Sequence, residues 1–290
     1  MLIHFIHPGS AYLPELAAYG DFLAALGHSA QVHSRPASVP ADAVICWWMC
    51  GRVPHDAARR LSHAFHIHEY ASASVPPWPK VKDRAKRALQ PVPQYRLFQN
   101  TWVRDRLGFS DGVPYEFRDM GVEPSFLAPC ARRAAPEFDG VYLGDMQRLR
   151  QFVPLLTALQ QAGQRTLLIG EPPVDLRKTL HTLGHVTGRV PHGQVPTLLR
   201  RARYGLNLVP DQLPYSQQTS TKLIEYCAAG LPVVSTDYDW VRAFEARHGA
   251  RFAYLPIPDM AGCVVPDVST LAWPRVLERL ALWRRLGLCP

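Results

Sequence analysis

Three times along this 290-residue chain an apolar run gives way to a loop, then to an amphipathic helix that stops at glycine, then to another apolar run. "LIHFIHPGS" leads into "YLPELAAYGDFLAALG" and returns as "HSAQVHS". "FDGVYLGDM", "RQFVPLLTALQQAG" and "QRTLLIG" form the second copy. "YGLNLVP", a helix over 220–229 and "LPVVSTD" form the third, with Gly27, Gly163 and Gly230 where left-handed helix caps are wanted. Strand and helix in strict alternation predict parallel α/β units. A second sheet is expected to begin near residue 138. Before it, "GVEPSFLAPCARRAAPEF" is rich in proline and alanine and has no periodicity, as an interdomain linker would.

Length supports the same division, because one hydrophobic core seldom serves 290 residues. The expected domains are 1–130 and 131–270, with an amphipathic helix over 271–290 that could cross back to the first. A hydrophobic share of 47% and a charged share of 19% describe a globular protein, and no apolar run approaches the roughly 20 residues that cross a bilayer. "MLIHFI" is short, holds a histidine and runs into Pro8 and Gly9, so it is expected to be a first strand rather than a leader, and the chain to be cytoplasmic. Six cysteines do not make a disulfide framework, and "CWWMC" lacks a second pair at zinc-finger spacing. The formal net charge of +8 favours anionic partners, which could be nucleic acid, anionic lipid or phosphorylated small molecules.

In parallel α/β sheets ligands bind beyond the carboxyl ends of the strands, where helix N-termini present free N–H groups. "NLVPDQLPYSQQTSTKLIEYCAAG" is such a strand, loop and helix start, so Thr219, Ser220 and Thr221 could cradle a phosphate. Lys222 and Glu225 are three apart and share the helix's solvent edge. The cation suits phosphate, and the carboxylate suits a ribose diol. In the amino-terminal half, Gly9 and Ser10 could bring backbone N–H groups toward a ligand. His63, His66 and His68 do not share one strand face, so zinc is not expected there.

"KLIEYCAAGLPVVS" resembles the donor-binding signature of retaining glycosyltransferases of the GT-B fold, of the family-four (group 1) type. "VYLGDMQRLRQF", "LLIGEPP" and "HVTGRVPHGQVPTLLRRARYGLNLVP" resemble other segments of that family's second domain, and "FQNTWVRDRLGFSDGVPYEFRDMGVEPSFLAP" the end of its first. The resemblance implies two Rossmann-like domains facing across a cleft, 1–130 binding the acceptor and 131–270 the nucleotide sugar, and transfer of a sugar from a nucleotide diphosphate to a hydroxyl with retention of configuration. It implies that Glu225 binds the ribose and that Ser220, Thr221 and Lys222 lie by the diphosphate or the transferred sugar. Gln217 stands where the family often has a second glutamate, and Asp145 where it commonly has arginine after the strand glycine, here Gly144. Arg150, or else Arg148, falls where a phosphate-binding lysine lies, and His68 is the nearest match to a histidine set against the donor sugar. His68, Lys222 and Arg150 are thus the expected catalytic residues. No Asp-x-Asp pair offers to hold a divalent cation, so neither metal nor cofactor is expected beyond the donor itself.

"WPKVKDRAKRAL" carries Lys80, Lys82, Arg84, Lys86 and Arg87 against Asp83, beside Trp78. Such a segment can lie on an anionic bilayer surface or be an ordinary solvated face. Only Trp78 is there to stack on bases, so nucleic acid is not the expected partner. The basic segment and the resemblance together point to a glycan or lipid-linked acceptor in surface polysaccharide or lipopolysaccharide synthesis, with the protein peripheral on the inner face of the cytoplasmic membrane. A sugar-nucleotide epimerase on the same fold and a non-catalytic binding homologue are the alternatives.

Overall fold

The computed structural model describes residues 1–9, 13–49, 52–128, 135–255 and 260–288. The chain divides into two compact units, Met1–Gly121 with Trp273–Pro290, and Val122–Ala272.

In the first unit, β1 (Leu2–Ile6), β2 (Ser29–His33), β3 (Ile45–Met49), β4 (Phe65–Tyr70), β5 (Tyr95–Phe98) and β6 (Tyr115–Phe117) form one sheet in the order β2-β1-β3-β4-β5-β6. Every pairing is parallel; His4 stands opposite Cys46 and Trp48 opposite His68. A parallel sheet covered on both faces needs strands that are apolar throughout, and β3 reads ICWWM with all five residues buried. The residues from Trp273 onward complete this unit's core: Trp283 packs against Tyr19, Phe22 and Trp47. Both carboxylate oxygens of Glu116 accept backbone N–H groups at the start of the last helix, from Ala281 at 2.7 Å and Leu282 at 2.9 Å. That cap holds the terminal helix to β6.

The second unit contains β7 (Phe138–Leu143), β8 (Thr166–Ile169), β9 (His185–Val186), β10 (Ala202–Asn207), β11 (Val233–Ser235) and β12 (Ala253–Tyr254), in the order β12-β11-β10-β7-β8-β9 and again all parallel. Counted within the unit this is 6-5-4-1-2-3, the doubly wound order whose direction reverses between its first and fourth strands. Those strands are β7 and β10. Part of the stretch read as linker belongs to this unit, since Val122 and Phe126 are buried in its core; residues 129–134 lie outside the described residues. Among the described residues no helix is long and apolar enough to cross a membrane.

Candidate functional site

Ladder pairing between β7 and β10 runs only as far as Val141 opposite Gly205. Beyond it the strands diverge, and Tyr226 fills the gap: its hydroxyl accepts from Leu143 N at 2.8 Å and donates to Leu206 O at 3.3 Å. Gly205 leaves room for the ring, because a Cβ there would stand 2.4 Å from it. The helix Thr221–Ala228, which carries Tyr226, is thereby fixed with its N-terminus at the mouth of the reversal point. Gly230, at φ +73°, ends that helix and turns the chain into β11.

A second set of bonds ties down the helix start. Ser220 caps it, accepting from Leu223 N at 3.3 Å and donating to Asn207 Oδ1 at 2.7 Å. Asn207 in turn donates to Ser235 Oγ at 2.9 Å and Tyr238 Oη at 3.0 Å. The cavity so framed has a volume of about 270 Å³, and its lining includes Gly144, Arg148, Asn207, Tyr215, Ser220, Thr221 and Lys222. Ser220, Thr221, Lys222, Gly144 and Arg148, all singled out in the sequence, are therefore brought together. A helix N-terminus, a lysine and an arginine face one small space that holds a single carboxylate, Asp145, among its described lining residues, so cationic groups predominate as an anion site needs.

Glu225 lies just behind it. Its carboxylate accepts from Lys222 Nζ at 3.1 Å and stands 3.3 Å from His192 Nε2, while His192 Nδ1 reaches Glu123 at 2.9 Å. Glu225 is not on a solvent edge, as its spacing from Lys222 suggested, but 5% exposed, with Lys222 and His192, itself held by Glu123, against its carboxylate. Burial opposes its ionisation, yet Lys222 and His192 more than offset that, and its pKa falls below the ordinary carboxylate value. The hydrogen bond to Glu225 raises the pKa of His192 against the opposing effect of burial. The sequence did not mark His192, which is 33 residues away from Glu225.

Other expected residues stand elsewhere. Arg150 is half exposed, ion-paired with Asp175, and absent from the cavity lining, so of the two arginines it is Arg148, its guanidinium 5.3 Å from the Tyr215 ring centroid, that faces the anion space. Gln217 donates to Asp239 outside that lining. Asp145 is the exception: it lines the cavity and also caps the turn Met146–Phe152 by accepting from Gln147 N at 2.9 Å.

In the first unit, Gly9 lines a cavity of about 400 Å³ with Glu15, Met49 and Glu69; Ser10 lies outside the described residues. His68 does not line it. The side chain is 1% exposed, on the opposite face of β4 from Glu69, 3.4 Å from Tyr70 Oη. Burial first, then Arg96, lowers its pKa to about 3, so it is a neutral core histidine rather than a group open to a ligand. His66 is also structural: it accepts from Trp48 Nε1 at 3.0 Å and meets Leu61 O at 2.9 Å. Among the described residues no group of three or more His, Cys, Asp or Glu is placed to hold a metal ion.

A depressed histidine pKa has a signed consequence. The unfolded chain takes up this proton near pH 6.5, whereas the folded first unit resists until about pH 3, so His68 makes stability fall as pH drops below 6.5. The slope from this one group approaches about 1.4 kcal/mol per pH unit. Urea midpoints taken between pH 7 and pH 5 are expected to fall, and His68→Gln to flatten the trend. An unchanged slope in that variant would show that His68 is solvated.

The helix Pro79–Leu89 lifts its cations into solvent. Lys80, Lys82, Arg84 and Arg87 are exposed, as are Trp78 (75%), Val81 and Leu89. Asp83, the helix's acid, is turned inward, accepting from Ser74 N and Arg106 Nε, both at 3.0 Å. The outer face therefore carries no offsetting negative charge. Lys82, Lys86, Val75 and Leu89 line a groove of about 630 Å³ beside the helix.

Comparison with known proteins places these features. The model of a family described as glycosyl transferase-like matches residues 150–256, within the second unit. A search of the curated proteins by sequence found no match. Among solved structures the chain is similar to AviGT4, a glycosyltransferase involved in avilamycin A biosynthesis, with 15% identity, 99% of this chain and 98% of that chain covered, and a TM-score of 0.66. It is similar to HepE of Anabaena in complex with UDP and glucose, with 10% identity, coverage of 90% and 87%, and a TM-score of 0.61. It also resembles a UDP-GlcNAc 2-epimerase of Methanocaldococcus jannaschii, with 10% identity, coverage of 98% and 100%, and a TM-score of 0.52. Identities this low speak to architecture, and together with the two six-stranded parallel sheets they establish that the chain has the GT-B fold of two Rossmann-like α/β units.

Proposed function

We propose that this chain is a glycosyltransferase, moving a sugar from a nucleotide-diphosphate donor to a hydroxyl with retention of configuration. The observation that carries this reading is the anion cavity at the β7/β10 reversal, where Lys222, Arg148 and the N-terminus of the helix Thr221–Ala228 converge with the buried Glu225 behind them. In this reading the diphosphate lies at the helix start, and the ribose diol reaches Glu225 by displacing His192, whose ring stands against the buried carboxylate. The match to the glycosyl transferase-like model covers both groups. Charge that builds on the departing diphosphate is then neutralised by Lys222, Arg148 and backbone N–H groups already in place, without a metal, so positioning and electrostatics supply the catalysis.

Thermal shift with a panel of nucleotide sugars tests this. A donor that binds only the folded chain raises its apparent stability by about 2.7 kcal/mol at a hundredfold excess over Kd. A stabilising donor is expected, and with acceptor present the nucleoside diphosphate should be released. Release separates this reading from a second one, which the likeness to UDP-GlcNAc 2-epimerases favours: an epimerase returns the nucleotide still attached to its sugar. A panel in which no nucleotide sugar stabilises the protein would overturn both.

The acceptor in this reading is a glycan or lipid-linked saccharide of surface polysaccharide or lipopolysaccharide synthesis, met at the inner membrane face. The exposed cations of the helix Pro79–Leu89, with Trp78 and Leu89, support it. Each lysine or arginine near an anionic surface contributes about 1 kcal/mol, screened over a Debye length of about 8–10 Å. Co-sedimentation with anionic vesicles is expected at low salt and its loss at high salt or with Lys80, Lys82, Lys86 and Arg87 changed to glutamine. Equal sedimentation of that variant would make the helix an ordinary solvated face.

A further inference from the structure

The first unit has a reversal point of its own, between β1 and β3, and there the cavity of about 400 Å³ opens onto an unbalanced buried charge cluster. Arg118, 1% exposed, lies between two carboxylates that are equally buried, Glu69 and Glu15. Glu69 is fully occupied: it accepts from Arg118, from Trp47 Nε1 at 2.7 Å and from Tyr19 Oη at 3.1 Å. Glu15 is not. Its Oε1 meets Arg118 Nη2 only at 3.4 Å, and its Oε2 has no hydrogen-bond partner. Both glutamates line the cavity.

A buried carboxylate oxygen without a donor is rare in folded proteins, since it loses water and gains nothing. One guanidinium serving two carboxylates also leaves the cluster one negative charge in excess. A ligand hydroxyl that donates to Glu15 corrects the first fault, an ammonium group corrects both, and an anionic group would aggravate the second. The remaining lining suits a small polyol: Leu13, Met49 and Ala71 offer apolar faces, His7 and Ser72 polar edges. Ser72 also lines the groove beside the basic helix, so the two spaces adjoin.

From these observations we infer that the cavity at the β1/β3 reversal binds a sugar-like ligand through a hydroxyl or ammonium group that donates to Glu15, and that it rejects a carboxylate or phosphate at that position. Taken with the transferase reading, on which this role rests, the ligand is the acceptor, and its recognised end is uncharged or cationic.

Binding can be followed without turnover. The Trp47 indole N–H, bonded to Glu69, gives a nuclear magnetic resonance signal at the cavity floor, and glucose, glucosamine and glucuronate serve as neutral, cationic and anionic probes. Glucosamine is expected to shift that signal saturably at millimolar concentration, with glucuronate at least tenfold weaker. Glucose as effective as glucosamine identifies a hydroxyl as the recognised group, and glucosamine alone identifies an ammonium. Glu15→Gln is expected to weaken glucosamine at least fivefold, and Ala71→Phe, which fills the cavity without touching the cluster, to remove binding of all three. The inference is overturned if neither glucose nor glucosamine moves the signal, if glucuronate binds as well as they do, or if Ala71→Phe or a folded Glu15→Gln leaves binding unchanged. UDP titrated into the same samples reports the second unit separately, so failure of the donor reading and failure of this one are told apart.

Discussion

Changing Arg118 to methionine is expected to cost the first unit about 3–5 kcal/mol, the range found when one member of a buried ion cluster is removed and its partners remain. Methionine fills much of the space of the arginine stem, but the guanidinium that lies 5.9 Å and 5.4 Å from the Tyr19 and Trp273 ring centroids is removed. The charge is not kept. Glu15 and Glu69, 1% and 2% exposed, would face each other, with Tyr19 and Trp47 donating to Glu69 alone. Domains are held by only about 5–15 kcal/mol in all, so the loss should be plain in urea unfolding followed by tryptophan fluorescence. Glu15→Gln added to Arg118→Met should return part of it, because it removes the carboxylate that has no other donor. A loss below about 1 kcal/mol would mean that water reaches the cluster and that the pairing counts as a surface one.

The sequence made some of this legible and hid the rest for identifiable reasons. Period-3.6 helices between apolar runs are local signals, and they located both sheets, the helix Thr221–Ala228 and the glycine, Gly230, that ends it. Ser220, Thr221 and Lys222 lie within that one local signal. Glu225 was singled out with them, but its carboxylate lies against His192, itself held by Glu123, both far away in sequence. His68 and Glu69 are adjacent on a strand that is buried on both faces, so alternation alone could not say which of the two meets a cavity; the structure gives that place to Glu69. Glu15 reads as an ordinary acidic residue in the first turn of the helix Pro14–Ala25, and only the return of Arg118 from 103 residues later reveals its role. Asp83 has the same history. In "KVKDRAKR" it looks like a counter-charge on a solvated helix, but the fold turns it inward onto Arg106.

Glu225→Gln is expected to weaken binding of UDP by roughly ten- to a hundredfold, which corresponds to the loss of a charge-assisted hydrogen bond worth about 1.5–3 kcal/mol. The substitution preserves shape and one acceptor oxygen, so Leu223, Ile224 and Tyr226 on the same helix should pack as before. What changes is charge. A carboxylate can accept from both hydroxyls of a ribose diol, whereas an amide offers one acceptor and turns two donors toward groups that already donate, namely Lys222 Nζ and His192. Lys222, 3.1 Å from the carboxylate, also loses the partner that orients it toward the anion cavity, so binding of the diphosphate should weaken together with that of the ribose. Thermal unfolding without ligand checks that the fold survives, and titration with UDP measures the loss. Adenosine diphosphate and inorganic pyrophosphate as comparison ligands then apportion the effect: a penalty shared by both nucleotides but small for pyrophosphate assigns Glu225 to the ribose, and equal penalties for all three assign it to the orientation of Lys222. Full UDP affinity in the glutamine variant would remove Glu225 from the donor site and leave the part-buried Lys222–Glu225–His192–Glu123 network a structural device of the second unit.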